Sequence, residues 1–381
     1  MVGPKGVCLK RHFRKLKDPR LHRRRRHELL NIIVMAICAV IGDCDGWQDI
    51  EVFVKNREKW FRRFLHLPNG VPSHDTFERV FSRLDPVAFG ACFQSWVQAV
   101  GAAVGLSHIA IDGKTLRHSS GRASDLGPLH LVSAWATQQH LTLGQVAVDS
   151  KSNEITAIPK LLELLDLKGA LVTIDAMGCQ KEIAAKIVAG GGDYVLTVKE
   201  NHPQLLEDIQ ATIAKALDGD LPANQISQSA NKERGHGRVE ERSYVVVEIL
   251  SGIRDRAAWA KLTSIGMCVS ERTVNGETST ETRYFIGSRR MGAKQYGRTL
   301  RNHWGIENNL HWQLDMTFDE DASRIQERNA AENFAWMRRI ALGMLKQHPS
   351  KLSLRSKRKA AALNPDFLEE IVAAAGNLGN G

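Results

Sequence analysis

H-I-A-I-D, from His108 to Asp112, is an apolar run that ends on a carboxylate, and L-V-T-I-D, from Leu171 to Asp175, repeats the pattern 175 − 112 = 63 residues later. Short apolar runs bounded by polar residues read as buried strands. Three further strand-like segments flank them, His130 to Thr137, Leu141 to Val148 and Tyr194 to Val198. Two helical stretches interrupt them, Ile158 to Leu165 and Gln180 to Ala189, the second closing on Gly190 to Gly192. The order β-β-β-α-β-α-β predicts an α/β chain built on a mixed sheet.

If the two Asp-terminated strands are neighbours, both carboxylates emerge at one edge of the sheet. Like charges there repel unless a divalent cation lies between them, and hard oxygen ligands suit Mg²⁺ or Mn²⁺. An Asp at a strand end is also an ordinary turn residue, and for either position alone that reading suffices. The repetition favours a metal site. Three sequential strands followed by helix-linked ones describe a sheet of the ribonuclease H kind.

Upstream, from Arg26 to about Gly105, apolar residues recur at three- and four-residue spacings, as in Leu30/Val34/Ile37/Ile41 and Ile50/Phe53/Val54, which predicts an all-α region. The turn Pro68-Asn69-Gly70 and a cap at Ser73 or Asp75 precede a helix carrying Phe77, Val80, Phe81 and Leu84. Helix, turn and capped helix suggest a DNA-reading unit, though an ordinary bundle fits the bare pattern as well. Downstream, Pro203 to Gly287 reads as one helix (Leu205 to Leu217) and strands at Val239 to Ile249, Leu262 to Val269 and Thr280 to Ile286, with Asn275-Gly276 as a hairpin turn. Ala293 to Asp315 and Ala331 to Lys346 read as helices. The expected domains are 1–104 (helical, DNA-binding), 105–202 (first part of the sheet domain), 203–287 (inserted β-rich subdomain), 288–350 (second part of the sheet domain) and 351–381 (basic tail).

Of the net charge of +10 over 381 residues, residues 1–30 carry 11 − 2 = +9, eleven Lys/Arg against Asp18 and Glu28. A concentrated basic segment favours a polyanion such as nucleic acid, although a solvated basic arm has the same composition. The six cysteines form no CxxC pair, which points away from zinc knuckles and disulfide frameworks and towards a reducing cytoplasm. The apolar run Leu29 to Gly42 contains Asn31 and falls short of the ~20 residues of a membrane span. Arg23 to Arg26 ahead of it mimic a signal peptide, but no small-residue cleavage site follows, so the run reads as a buried helix.

The segment R-N-H-W-G-I-E-N-N-L-H-W-Q-L-D, Arg301 to Asp315, is the richest in polar chemistry. On a regular helix Glu307, His311 and Asp315 share a face, flanked by Trp304 and Asn308, and Glu307 is the candidate third metal ligand. An amphipathic surface helix accounts for the same residues equally well. Asp315, Asp319, Glu320 and Asp321 are the reserve candidates. His303 and His311 without a cysteine or further histidine at ligand spacing do not make a zinc site.

Taken together these pieces resemble insertion-sequence transposases of the DDE class, in the ISAs-like branch that includes the H-repeat-associated proteins, along nearly the whole chain. The residues that carry the resemblance are D-P-R (18–20), P-S-H-D-T-F-x-R-V-F (72–81), I-D-G-K (111–114), K-S-N-E-I (151–155), T-I-D-A-M-G-C-Q (173–180), V-K-E-N (198–201), G-H-G-R (235–238) and H-W-x-I-E-N-x-L-H-W (303–312). The resemblance implies a ribonuclease H-like catalytic domain, with Asp112, Asp175 and Glu307 as catalytic acids holding two Mg²⁺ or Mn²⁺ ions. It implies double-stranded DNA as partner, element ends and target alike, and a homodimer or higher assembly on DNA in the bacterial nucleoid, with no membrane association. Lys114, Lys151, Lys199, Arg298, Arg301 and His303 are candidate phosphate contacts, and Trp304 a candidate stacking residue. One departure stands out: transposases outside this branch carry Tyr, Arg and Lys seven before, four before and seven after the glutamate, where this chain has Leu300, His303 and Leu314. A structure-specific nuclease on the same fold, or a DNA-binding regulator or relic that no longer cuts, are the competing readings.

Overall fold

The structure, a computed structural model, describes residues 9–101, 107–119, 127–148, 153–235 and 237–374. In chain order the helices α1 (Leu9–Phe13), α2 (Leu29–Ile41), α3 (Trp47–Asn56), α4 (Glu58–Phe61), α5 (His74–Phe81) and α6 (Pro86–Gly101) come first. Next are β1 (His108–Leu116), β2 (Leu129–Ala136), β3 (Leu141–Ala147), α7 (Glu154–Glu163), β4 (Leu171–Ile174), α8 (Lys181–Ala189) and β5 (Asp193–Val198), the expected β-β-β-α-β-α-β order. Then come α9 (Pro203–Leu217), β6 (Ile226–Gly235), β7 (Arg238–Val247), β8 (Ser264–Val274), β9 (Glu277–Gly287) and α10 (Ala293–His303). After a π-helical turn at Glu307–His311 the chain ends in α11 (Trp312–Phe318), α12 (Arg328–Gln347), α13 (Leu354–Leu363) and α14 (Pro365–Ala374).

Two compact units emerge, one of residues 1–105, 113–152 and 307–381, the other of residues 106–112 and 153–306. The second is built on the strand order β1-β4-β5-β9-β8-β7-β6. β1, β4 and β5 run parallel, and β5, β9, β8, β7 and β6 alternate antiparallel. Residues 203–287, expected as an inserted subdomain, therefore supply strands to the same sheet as the Asp-bearing strands. β9 hydrogen-bonds along β5, pairing Ile286 with Leu196, and so covers what would otherwise be an open edge. β6, absent from the sequence expectation, is a long edge strand with almost no apolar residue. α10 packs across β4, β6 and β7, and Tyr296 stacks on Phe285 with centroids 5.0 Å apart in a core shared with Val195, Tyr244 and Val246.

The first unit is organised around α2, whose residues are all buried except Leu30. The Leu29 run is thus a core helix, as its interrupting Asn31 suggested, and among the described residues no helix is long and apolar enough to cross a membrane. α12 lies against α2, and Trp47 stacks on Phe81 (5.3 Å) while meeting Phe334 edge-on (5.0 Å). The antiparallel β2–β3 hairpin is held by α6 and α12. Residues 351–381 were expected as a basic tail, but 354–374 form α13 and α14, which pack on α2. The physical reason is Arg358, whose guanidinium is buried and donates to the Val40 carbonyl at 3.0 Å and to Asp45 Oδ1 at 2.9 Å.

Candidate metal and DNA site

β1 and β4 lie side by side in parallel, their last paired residues being Ile111 and Ile174. Asp112 follows within β1, and Asp175 is the first residue beyond the end of β4. Because parallel partners point to the same side, the pair Ala110–Thr173 shares its face with the two carboxylates one step further along. Both acids are half-buried. Burial raises the pKa of Asp175, the nearby Glu154 adds to that, and the Gly178 amide and Lys199 pull against it. Two oxygen ligands on one face, one of them costly to ionise alone, are a donor set that fits a hard divalent cation.

The loop after β4 is shaped to keep Asp175 in place. The Gly178 amide donates to Asp175 Oδ1 at 3.4 Å, and a Cβ at Gly178 would stand 2.3 Å from Ile174 Cγ2, so only glycine lets the chain fold back this tightly. Asn201 Nδ2 donates to the Ala176 carbonyl at 2.8 Å, and His202 Nε2 to the Cys179 carbonyl at 2.5 Å. Sequence reasoning assigned no role to Asn201 or His202. They act through backbone carbonyls, which leave no trace in residue type.

Beside the acids on the same face, the Thr173 hydroxyl gathers two imidazoles. His108 Nε2 lies 3.0 Å from it and His303 Nδ1, on α10, 2.9 Å. The hydroxyl also lies 3.5 Å from the Ile109 carbonyl, a third polar neighbour. Burial pushes both histidines down to about 4, with Arg283 adding to the effect on His303 and His303 to that on His108. Both are therefore neutral near pH 7. His303 is a half-buried strut between α10 and β4, a placement unlike an exposed phosphate contact.

Glu307 belongs to the other compact unit and is exposed at the start of the π-helical turn. The turn interrupts the regular spacing that put Glu307, His311 and Asp315 on one face, because its i→i+5 bonds take in an extra residue; such turns cluster at functional positions. The neighbouring acids are already committed. Lys114 Nζ holds Asp315 at 2.6 Å and Asp321 at 3.1 Å, and Arg339 pairs with the buried Glu320 at 2.8 Å. Among the described residues no ion pair engages Glu307 or Asp319. Nor do they contain any group of three or more His, Cys, Asp or Glu side chains arranged to hold a metal ion.

The candidate DNA contacts divide. Lys199, just past β5, and Arg298, on α10, are exposed. Arg301 is exposed but paired with Glu233 at 2.5 Å, and Lys114 is buried against its two aspartates, so it anchors acids in this structure. Trp304 is half-buried beneath the Arg283 guanidinium, 4.3 Å from its ring centroid, at a cavity of about 50 Å³ that Arg242 and Tyr244 also line. Lys151, Ser152 of the K-S-N-E-I motif and His236 of G-H-G-R lie outside the described residues.

Residues 104–344 match the family described as "Transposase DDE domain", and residues 10–97 the family described as "DDE_Tnp_1-associated". The chain is 38% identical over 379 residues to the "H repeat-associated putative transposase YhhI" of Escherichia coli (strain K12), covering 97% of this chain and 98% of that protein. It is 39% identical over 374 residues to the "Putative transposase YncI" of Escherichia coli O157:H7, covering 96% and 94%. Among solved structures, a piggyBac transposase synaptic complex with hairpin DNA superposes with a TM-score of 0.43 at 8% identity, over 95% of this chain and 76% of that one.

Proposed function

The chain belongs to the transposase DDE-domain family, of the H-repeat-associated type, and on that premise we propose that it cuts DNA at insertion-sequence ends and joins the freed ends to target DNA. Asp112, Asp175 and Glu307 are the acids of the reaction. The single observation that carries this reading is the parallel register of β1 and β4, which ends at Ile111 and Ile174, one residue before Asp112 and Asp175. The commitment of Asp315, Glu320 and Asp321 to cations favours Glu307 as the third.

The reaction is an in-line displacement at phosphorus. Water attacks first and the 3′-oxygen leaves as a 3′-hydroxyl at the element end; that hydroxyl then attacks a target phosphodiester and a second 3′-oxygen leaves. Bound divalent cations would supply charge to the attacking and departing oxygens. The chain's own part is positioning: the Gly178 amide and Asn201 fix the Asp175 loop, and His108 and His303 brace the strand beneath it. Lys199 and Arg298 are exposed cations available to phosphate. The working form is a DNA-bound homodimer or larger assembly that holds both element ends.

The test is incubation of purified protein and Mg²⁺ or Mn²⁺ with labelled DNA carrying its element's ends, wild type beside Asp175→Asn. Metal-dependent cleavage with strand-transfer products, lost in the variant, supports the proposal. Cleavage without joining would identify a nuclease, and binding without cleavage in either metal a regulator or relic.

A further inference from the structure

The helical N-terminal segment carries a cavity of about 600 Å³ that the acids take no part in. Arg20, Arg26 and His27 enter it from the segment before α2, Thr76 and Arg79 from α5, and Arg83 from the turn after α5. Among the described residues no carboxylate lines it, and the α5 acids Asp75 and Glu78 are not part of its wall. Two of its members are structural. Arg20 is buried, pairs with Asp18 at 2.9 Å and donates to the His27 carbonyl at 2.6 Å, while Asn69 Nδ2 donates to the Arg26 carbonyl at 2.7 Å and ties the two sides together.

Three guanidiniums remain. Arg26, Arg79 and Arg83 are exposed, and among the described residues none has an ion-pair partner; Arg79 touches the Thr76 hydroxyl at 3.5 Å. Burial, with Arg26 and Arg20 close by, lowers the pKa of His27, so arginine carries the charge of the cleft. Three uncompensated cations around one concavity repel each other, and the arrangement is relieved by a ligand bearing several spaced negative charges. A single phosphate would neutralise one or two and leave most of the volume empty. A nucleic-acid backbone supplies a row of phosphates, which guanidinium forks grip bidentately and which hydroxyls such as that of Thr76 supplement.

We infer that this cleft seats the phosphate backbone of duplex DNA, holding the duplex without reading its bases, at a site separate in sequence from the proposed catalytic acids. The inference rests on the DNA-transposition reading for its choice of polyanion.

The test measures binding of a labelled random-sequence DNA duplex to the full chain in EDTA, where no cleavage can intervene, as a function of salt. An Arg26→Gln/Arg79→Gln/Arg83→Gln variant is compared with wild type and with Lys59→Gln/Lys351→Gln/Lys359→Gln, an equal loss of charge from exposed positions outside the cleft. Each lost phosphate contact flattens the slope of log affinity against log salt by ~0.9, so the cleft variant should lose about 2 to 3 from the slope. Between roughly 50 and 200 mM salt its affinity should then fall about 40-fold less than that of wild type. The outer variant should keep the wild-type slope, and all three should unfold at the same urea concentration. An unchanged slope in the cleft variant, or equal flattening in both variants, overturns the inference, as does an arginine-dependent preference for duplex RNA over duplex DNA. Failure of end cleavage with duplex binding intact would remove the proposed chemistry and leave the cleft standing.

Discussion

His303 Nδ1 of α10 lies at hydrogen-bond distance, 2.9 Å, from the hydroxyl of Thr173 on β4, two residues before Asp175. The same oxygen is hydrogen-bonded to His108 Nε2 at 3.0 Å, so it joins two strands and a helix. Thr173→Val keeps the shape and removes the hydroxyl that both rings meet, at about 1–3 kcal/mol for each hydrogen bond lost. We expect a loss of roughly 2–5 kcal/mol in urea unfolding, and little change for Thr173→Ser, which keeps the hydroxyl. Equal stability of the valine variant would show that the histidines find other partners.

The same pair sets a pH dependence. Both histidines sit at about 4 when folded against 6.5 when exposed, so between those values the unfolded chain binds more protons than the folded one. Their contribution is intact above pH 6.5 and is lost as pH falls towards about 4. Each histidine steepens the fall by at most ~1.4 kcal/mol per pH unit. His108→Gln and His303→Asn, which place an amide group near the original ring nitrogen without titrating, should flatten the urea-midpoint profile in that window. A wild-type profile that is already flat there would contradict the burial of these rings.

For the acids, Asp112→Asn, Asp175→Asn and Glu307→Gln should each lower cleavage by roughly 10³-fold or more, on the scale of losing a principal group that acts on developing charge. DNA affinity in EDTA should change less than about tenfold for the same variants, since phosphate binding is carried elsewhere. Chelation should reproduce the loss in wild type, and added Mn²⁺ should reverse it. A Glu307→Gln enzyme that still cuts would shift the third role to Asp319, the other acid of that segment without an ion pair among the described residues.

The strands that carry the acids were legible because their first four residues or so are apolar on both faces; β4 ends just before Asp175 as expected, whereas β1 continues past Asp112 through Gly113 and Lys114 to Leu116. The hairpin between β8 and β9 was legible because Asn275 and Gly276 adopt positive φ of 51° and 87°, which few other residue pairs tolerate. β6 was not legible: I-S-Q-S-A-N-K-E-R-G has neither alternation nor bulk, and it becomes a strand by pairing along β7 from Ile226 to Gly235. The closure of β9 onto β5 depends on residues some ninety positions apart, which no local pattern records. At the site, residue types pointed to Asp112 and Asp175, whereas the support from Asn201 and His202 depends on where backbone carbonyls fall. The π-helical turn at Glu307 likewise has no signature in side-chain spacing, and it undid the four-residue face inferred from a regular helix.

Residues 351–381 looked like a solvated basic tail because K-R-K at 357–359 is charged, yet Lys357 and Arg358 are buried. Arg358 lies over the Phe318 ring at 4.2 Å, donates to the carbonyls of Val40 and Thr317, and pairs with Asp43 at 3.2 Å and Asp45 at 2.9 Å. The Val40 carbonyl belongs to the last turn of α2, which has no partner within its own helix. Arg358→Met retains bulk but abandons these acceptors and leaves Asp45 half-solvated without its counter-ion, for an expected cost of about 3–5 kcal/mol. Arg358→Lys should recover only part of this, since an ammonium cannot span a carbonyl and a carboxylate as a planar fork does. Asp45→Asn should cost less in the Arg358→Met background than in wild type, because the two changes remove one shared interaction. Urea unfolding of the four chains measures this. A basic tail would behave in the opposite way: Arg358→Met would weaken DNA binding at low salt and leave the unfolding midpoint where it was.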